Sequence, residues 1–360
     1  MNAISFDIAS PDIRDFKAQA RASGLRYVSD LKPGFTRRRY GKAFVFFDTD
    51  GQRIRDEAEI IRIRKLAIPP AYKNVWICPY PNGHIQATAF DAKGRKQYRY
   101  HTDWRAVRDS AKFNHMLAFG EALPLIRQSV RTHMTQRGLT REKVLATVVA
   151  LLEKTLIRVG NDEYARANQS YGLTTLRDEH VEISGETIRF RFKGKSGKEW
   201  NLKLSDRRIA HVIRACAEID GQELFKYIDD DGVVRDVSSS DVNAYLRDIT
   251  GQPFTAKDFR TWTGSVLAAM ALSGFEIFDS QTQAKKNVVA AIEQVAKRLG
   301  NTPSVCRKCY VHPDIVGAYF EGGLIDQIGQ EIDEALLDAY AGLSAEEVCV
   351  LRFLKTRLKR

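Results

Sequence analysis

The stretch RLGNTPSVCRKCYVHPDI, residues 298–315, sets one tyrosine, Tyr310, among cations, between a Gly-Asn-Thr-Pro turn and a His-Pro step. Such a tyrosine is either an aromatic packed at a helix end or a nucleophile held beside an anion. A phenol has a reference pKa of about 10 and attacks weakly at neutral pH, unless nearby cations favour its phenolate. Three cations occupy marked local settings elsewhere: Arg158 in Ile157-Arg158-Val159-Gly160, Lys195 in a glycine-rich turn, and Arg260 in Lys257-Asp258-Phe259-Arg260-Thr261-Trp262. Guanidinium groups bind phosphate oxygens in pairs, and an ammonium can hand over a proton. Taken singly, each residue also reads as ordinary structure. A helix-end arginine caps or pairs with an acid, a loop lysine is solvated, and a tyrosine near Pro313 packs.

The elements that must carry these residues change character along the chain. Over the first hundred or so residues the sequence reads as strands and turns. Phe44-Val45-Phe46-Phe47 runs into Asp50-Gly51, and Val75-Trp76-Ile77-Cys78 runs through Pro81-Asn82-Gly83 into Ile85, Ala87 and Ala89. Asn-Gly between apolar runs predicts a type I′ hairpin turn, whose two central residues take positive φ. Gln97-Tyr98-Arg99-Tyr100-His101 alternates, with tyrosines on one face and cations on the other, and Glu57 to Lys65 reads as a short helix ended by Ile68-Pro69-Pro70. From about Trp104 the period becomes helical. Thr140 caps a predicted helix with Val144, Val148, Leu152 and Leu156 on one apolar stripe, and Arg158 follows it directly. Alternation returns between Val181 and Leu204 as a three-stranded meander, whose second turn, Lys193-Gly194-Lys195-Ser196-Gly197-Lys198, carries Lys195. From Asp206 the chain reads as mostly helical. The expected fold is α+β: a small N-terminal antiparallel sheet domain with short helices, residues 1–107, and a larger, mainly helical domain carrying the meander, residues 108–360.

Composition narrows the partners. The 360 residues carry a formal charge of +11, with 44% hydrophobic and 28% charged residues, as in a globular protein. The cations cluster at Arg37-Arg38-Arg39, at Arg62, Arg64 and Lys65, at Arg95-Lys96, and at Lys193, Lys195 and Lys198, which suits a polyanionic partner; charge alone leaves a solvated basic surface equally open. No apolar run approaches the roughly 18 residues of a membrane span, and the N-terminal MNAISFDIASPDIRDF lacks the apolar core of a secretory signal, so a cytoplasmic protein is expected. Five cysteines, Cys78, Cys216, Cys306, Cys309 and Cys349, are too scattered for a disulfide scaffold. Cys306 and Cys309 form a C-x-x-C, but neither further zinc ligands nor a thioredoxin-like context accompanies them, so no metal site is expected.

Taken in order, the motifs resemble those of the type IB DNA topoisomerases, in particular their poxviral and bacterial branch, over most of the chain. KTLIRVGNDEYARANQSYGLTTLRDEHV is similar to the segment bearing the family's first catalytic arginine, here Arg158. FKGKSGKEW resembles its β-hairpin with the catalytic lysine, here Lys195; KDFRTW resembles Lys-Asp-Leu-Arg-Thr-Tyr, whose arginine is here Arg260. GNTPSVCRKCY resembles the Gly-His-Thr-Pro-Ser...Tyr terminus, which makes Tyr310 the nucleophile and places Asn301 where the family usually has histidine. GRKQYRYH resembles a DNA-contacting strand, so DNA contacts are expected from Tyr98, Tyr100, Arg95 and Lys96, and in the larger domain from Tyr164 and Lys193. The poxviral enzymes carry a lysine where Asn161 stands.

The resemblance implies an enzyme that relaxes supercoiled double-stranded DNA through a 3′-phosphotyrosyl intermediate, as a monomer at the nucleoid, with no cofactor. The lack of a Walker-type G-x-x-x-x-G-K-[ST] or a clear acidic cluster agrees with chemistry that uses neither ATP nor metal. Asparagine at 301 can donate to a phosphate oxygen but cannot exchange a proton near neutral pH. A tyrosine site-specific recombinase, with a similar Arg, Lys, Arg and Tyr set, would usually show a helical N-terminal domain and a His-x-x-Arg motif, where this chain has strands and Lys257-Asp258-Phe259-Arg260. A DNA-binding protein without catalysis, in which Tyr310 only packs, is the other alternative.

Overall fold

The computed structural model describes residues 16–41, 43–275, 278–328 and 340–358. The stretch read as lacking a secretory signal falls almost wholly outside these residues. Two compact units divide the chain, 1–114 and 115–360. The division lies within the helix α3, Thr102–His133, a few residues past the boundary expected from sequence.

The first unit holds helix α1 (Phe16–Ala22), helix α2 (Glu57–Lys65) and five strands, β1 (Phe35–Tyr40), β2 (Ala43–Phe47), β3 (Lys73–Ile77), β4 (Ile85–Phe90) and β5 (Lys96–Tyr100). They pair antiparallel in the order β2-β1-β3-β4-β5. Asp56 caps α2 by accepting from Ala58 N, and Ile63 then packs with Phe46, Val75, Ile77, Ala87 and Ala89. Two cations of the basic clusters are structural. Arg37 donates to the carbonyls of Ile68, Pro69 and Tyr72 at 2.6–3.0 Å and stacks on Phe44, while Arg62 bonds Glu59, Gln86 and the Cys78 carbonyl.

The Asn82-Gly83 turn departs from expectation. Neither residue takes positive φ, and β3 and β4 are joined by a wider loop. The cause is the buried Gln86, whose Nε2 donates to the carbonyls of Tyr80, Pro81 and Gly83 at 2.7–3.2 Å and organises the loop around itself. Gly83 is needed for space: a Cβ there would lie 2.4 Å from Cys78 Sγ.

In the second unit Thr140 caps helix α4 (Arg141–Thr155) as predicted, accepting from Lys143 N at 3.2 Å. Its burial is not a single stripe. Every residue from Val144 to Leu152 is buried, so α4 runs through the interior, and Leu156 closes it in the left-handed conformation, φ 58°. Helix α5 (Asp162–Asn168) follows, then the meander β6 (Val181–Ser184), β7 (Thr187–Lys193) and β8 (Glu199–Ser205). Beyond helix α6 (Arg207–Ala217) the chain makes a small hairpin, β9 (Lys226–Ile228) and β10 (Val234–Asp236), where the sequence predicts helix. Its signal, Asp231-Gly232 between apolar residues, stands in the sequence, and Gly232 takes φ 75°. Helices α7 (Ser239–Thr250), α8 (Ala256–Ser273), α9 (Gln281–Leu299), α10 (Pro303–Cys309), α11 (Pro313–Phe320), α12 (Leu324–Ile328) and α13 (Ala345–Leu358) complete the described chain. Among the described residues no helix is long and apolar enough to cross a membrane.

One buried carboxylate ties this helical unit together. Glu347 on α13 accepts both Nη atoms of Arg127 on α3 at 2.8 and 2.9 Å, Trp262 Nε1 on α8 at 3.1 Å, and Ser344 N at 2.9 Å. Arg127 also reaches Glu153 on α4 at 2.7 Å. Burial alone would raise the Glu347 pKa, but Arg127, Ser344 and Trp262 together hold it below the usual carboxylate range. A depressed folded-state pKa contributes stability above the unfolded value, lost as the pH falls through the folded one. Glu347→Gln is therefore expected to cost about 2–4 kcal/mol at neutral pH. That difference from the parent protein, measured by denaturant unfolding, should shrink as the pH drops below about 4.3. A pH-independent difference would contradict the assignment.

Candidate active site

Arg158 stands just beyond α4 in a backbone segment strapped down on one side. Leu173 N donates to the Arg158 carbonyl at 2.9 Å and Thr174 N to the Val159 carbonyl at 2.6 Å. Gly160, at φ 113°, lies against Gly172, where a Cβ would come within 2.6 Å of Gly160 Cα. The half-buried Arg158 side chain donates through Nη2 to Asn301 Oδ1, with the Gly300 carbonyl at 3.5 Å. Because arginine only donates, the Asn301 amide must turn its oxygen toward Arg158, which leaves Nδ2 as a buried N–H group without a partner among the described residues. The Arg158 pKa lies below its ordinary value, first through burial and then through the charge of Arg260; Tyr310 and Tyr164 act the other way.

Arg260 comes from the first turns of α8, whose start is fixed by Thr255 N and Oγ1 donating to Asp258 Oδ2 at 2.8 and 2.9 Å. It is 3% exposed. Nη1 donates to the Leu156 carbonyl and Nη2 to the Leu299 carbonyl at 2.6 Å, so the guanidinium joins the C-terminal ends of α4 and α9. Cζ lies 5.2 Å from the centroid of the Tyr310 ring, and Nε is buried without a partner among the described residues.

Lys195 is exposed on the turn between β7 and β8, its Nζ 5.9 Å from the Tyr164 ring. The base of that turn is fixed more firmly than its tip. Tyr171 N donates to the Lys193 carbonyl at 2.8 Å, and the Trp200 indole packs against Gly194 and Gly300, where Cβ atoms would each come within 2.7 Å of its ring. Gly300 ends α9 at φ 65° and leads directly into Asn301.

These segments enclose a cleft of about 370 Å³ that brings together Arg158, Lys195, Arg260 and Tyr310. Tyr164 lines it as well, together with Tyr171 and Lys257, two residues within the quoted motifs that sequence reasoning did not single out. Four cations and no carboxylate are among its lining residues. Such a cleft suits an anion bearing several oxygens, placed beside a phenol. Asn161, at its edge, caps α5 by accepting from Tyr164 N at 2.8 Å. Lys193 is exposed and is not among the lining residues.

The other expected DNA contacts lie in the first unit. Lys96, Tyr98 and Tyr100 share one face of β5, and the two tyrosine rings stack at 5.9 Å with an interplanar angle of 6°. Lys96 pairs with Asp30 at 2.6 Å and lies 5.5 Å from the centre of the Tyr98 ring, and Arg95 pairs with Asp91 at 2.8 Å, so both cations are engaged while the two rings stay partly exposed. All five cysteines are free, and burial pushes the Cys306 thiol up to about 11. Among the described residues no three His, Cys, Asp or Glu side chains converge as metal ligands do.

Residues 101–333 match the family described as eukaryotic DNA topoisomerase I, catalytic core, and residues 43–91 match the bacterial DNA topoisomerase IB N-terminal domain. The chain is 33% identical over 288 residues to DNA topoisomerase 1B of Acanthamoeba polyphaga mimivirus, covering 78% of this chain and 86% of that protein. It is 21% identical over 244 residues to DNA topoisomerase 1B of Vaccinia virus (strain Copenhagen), covering 67% and 74%. A DNA topoisomerase 1 of Mycosarcoma maydis matches at 25% over 193 residues, covering 47% of this chain and 19% of that protein.

The seat of Trp200 yields a test of the site's scaffold. Gly300→Ala adds left-handed strain and sets a Cβ against the indole, and is expected to lower stability by roughly 1–3 kcal/mol. Proteolytic cutting at the Lys193–Lys198 turn should become faster. Unchanged unfolding and cutting would show that the indole does not brace the turn.

Proposed function

Because this chain belongs to the type IB DNA topoisomerases, isomerases that act on DNA, we propose that it relaxes supercoils by joining one strand covalently to Tyr310. The observation that carries this reading is the cleft in which Tyr310 sits against Arg260 amid four cations and no carboxylate. Attack of the phenol on a phosphodiester places charge on two nonbridging oxygens. Arg158 and Arg260 offset it, and the unpartnered N–H groups, Arg260 Nε and Asn301 Nδ2, are suited to donate to the same oxygens. The phenol proton passes to solvent, the bond from phosphorus to the 5′-oxygen breaks, Tyr310 then holds a 3′-phosphate, and a 5′-hydroxyl departs. An alkoxide leaves poorly, so Lys195 donates the proton from its exposed turn. The phosphotyrosine bond keeps the diester's energy, and religation therefore draws on neither ATP nor metal. In the first unit, the stacked Tyr98 and Tyr100 serve DNA binding. The protein works as a monomer in the cytoplasm, at the nucleoid.

The direct test is relaxation of positively and negatively supercoiled plasmid in EDTA without ATP. The parent protein is expected to relax both, and Tyr310→Phe to bind DNA but form no covalent adduct. Relaxation by the phenylalanine variant would sink the assignment of the nucleophile.

The roles of Lys195 and Asn301 separate on a second substrate. Replacing the 5′-bridging oxygen by sulfur makes the leaving group a thiolate, which needs no proton. Single-turnover cleavage by Lys195→Ala should then recover most of its rate. Asn301→Ala, having lost a donor to a nonbridging oxygen worth on the order of 10²-fold in a dry site, should stay as slow as before. A lysine variant that remains slow on sulfur acts only as an electrostatic contact.

A further inference from the structure

The nucleophile's backbone is held from α8 by a residue that no catalytic motif includes. Ser265 is fully buried, one helical turn beyond Arg260. Its Oγ donates to the Tyr310 carbonyl at 3.2 Å and accepts from His312 N at 3.0 Å, so one hydroxyl grips the peptide groups on both sides of Val311. A hydroxyl has a single proton. Met116 Sδ lies 3.3 Å away, but a carbonyl is the stronger acceptor and takes it. Gly264 completes the seat. A Cβ there would come 2.7 Å from the Tyr310 carbonyl oxygen and 3.0 Å from its Cβ, so the backbone of Tyr310 rests directly on α8. On the helix side Tyr310 N donates to the Cys306 carbonyl at 2.9 Å. The tyrosine is thus the last residue tied to α10, and its exit from that helix is tied to Ser265.

We propose that Ser265 is a positioning residue for the cleavage step, which fixes the backbone of Tyr310 so that its phenol approaches the phosphorus from one direction. The proposal rests on Tyr310 being the nucleophile. Its consequence is asymmetric. Before attack the phenol is free and Ser265 limits where it can go. Once the phosphotyrosine has formed, the DNA strand holds the side chain in place, and the clamp has less left to do. Losing Ser265 therefore frees the phenol to wander in the noncovalent complex, which widens the gap from that complex to the transition state more than the gap from the adduct. Cleavage slows more than religation, and the equilibrium moves away from the adduct.

The test is Ser265→Ala, which removes both bonds and adds no bulk. Single-turnover cleavage should fall about tenfold, the effect of roughly 1.4 kcal/mol, and religation of a preformed adduct by less than about threefold. The equilibrium adduct fraction should drop accordingly, while DNA affinity and the fraction of protein that reacts stay at parent values. Merely weakened folding would instead lower the reacting fraction and leave the rate of the remainder intact. That result, a parent-like cleavage rate, or equal losses in both directions would each overturn the proposal. If the alanine variant does not fold, Ser265→Cys, of similar volume and weaker bonding, gives the same reading with a smaller loss, and a parent-like rate overturns it. Mapping the adduct on the Ser265 variant keeps the two questions apart. An adduct on a residue other than Tyr310 refutes the nucleophile, whereas a slow adduct on Tyr310 supports both.

Discussion

A guanidinium that is 3% exposed must find oxygen partners inside the fold, and Arg260 finds them at the carbonyl ends of two helices. Helix C-termini leave carbonyls unsatisfied and carry partial negative charge, so they compensate a buried cation without cancelling it as a carboxylate would. The rest of the site follows from that choice. One carbonyl belongs to Leu156, from which the chain passes in two residues to Arg158; the other belongs to Leu299, from which it passes in two residues to Asn301. Arg158 and Asn301 meet because Arg260 gathers the ends of α4 and α9 around itself. The Tyr310 ring then covers the same guanidinium.

The other arginines make the contrast plain. Arg127 is half-buried, paired with two carboxylates, and serves to join helices, and Arg62 in the first unit is matched by Glu59. Arg37 is spent on carbonyls of its own loop. Within the cleft, compensation comes from backbone dipoles and amide groups, so a net positive field remains for a ligand. The basic composition therefore divides into cations that hold the fold and cations that remain available. Local clustering in the sequence does not tell the two apart.

That distinction marks how far the sequence could be read. Arg158, Lys195, Arg260 and Tyr310 each sit in a short motif, and the structure draws these distant motifs to one cleft. The antiparallel sheet, the capped α4 and the meander follow from local periodicity and turn chemistry. What escaped reading depends on contacts far apart in sequence. Gln86 reshapes the Asn82-Gly83 turn through three carbonyls, and the interior course of α4 is set by helices that come later in the chain. Ser265 touches Tyr310 across 45 residues. The β9–β10 hairpin was legible in its Asp-Gly turn, but the helical pattern around it was the stronger signal.

The turn that bears Lys195 combines a braced base with an exposed tip: Trp200 is lodged against Gly194 and Gly300, while the lysine side chain stands in solvent. Such an arrangement behaves like a short tether on a fixed post. The post sets the radius within which the ammonium can be found, and the flexible four-carbon stem sets its freedom inside that radius. An ammonium so mounted need not be aimed in advance. It samples the mouth of the cleft and is ordered by whichever oxygen arrives there, so the entropy of ordering it is lost only in complexes that bring an oxygen within reach. Selectivity for a correctly seated ligand then comes partly from timing rather than from shape.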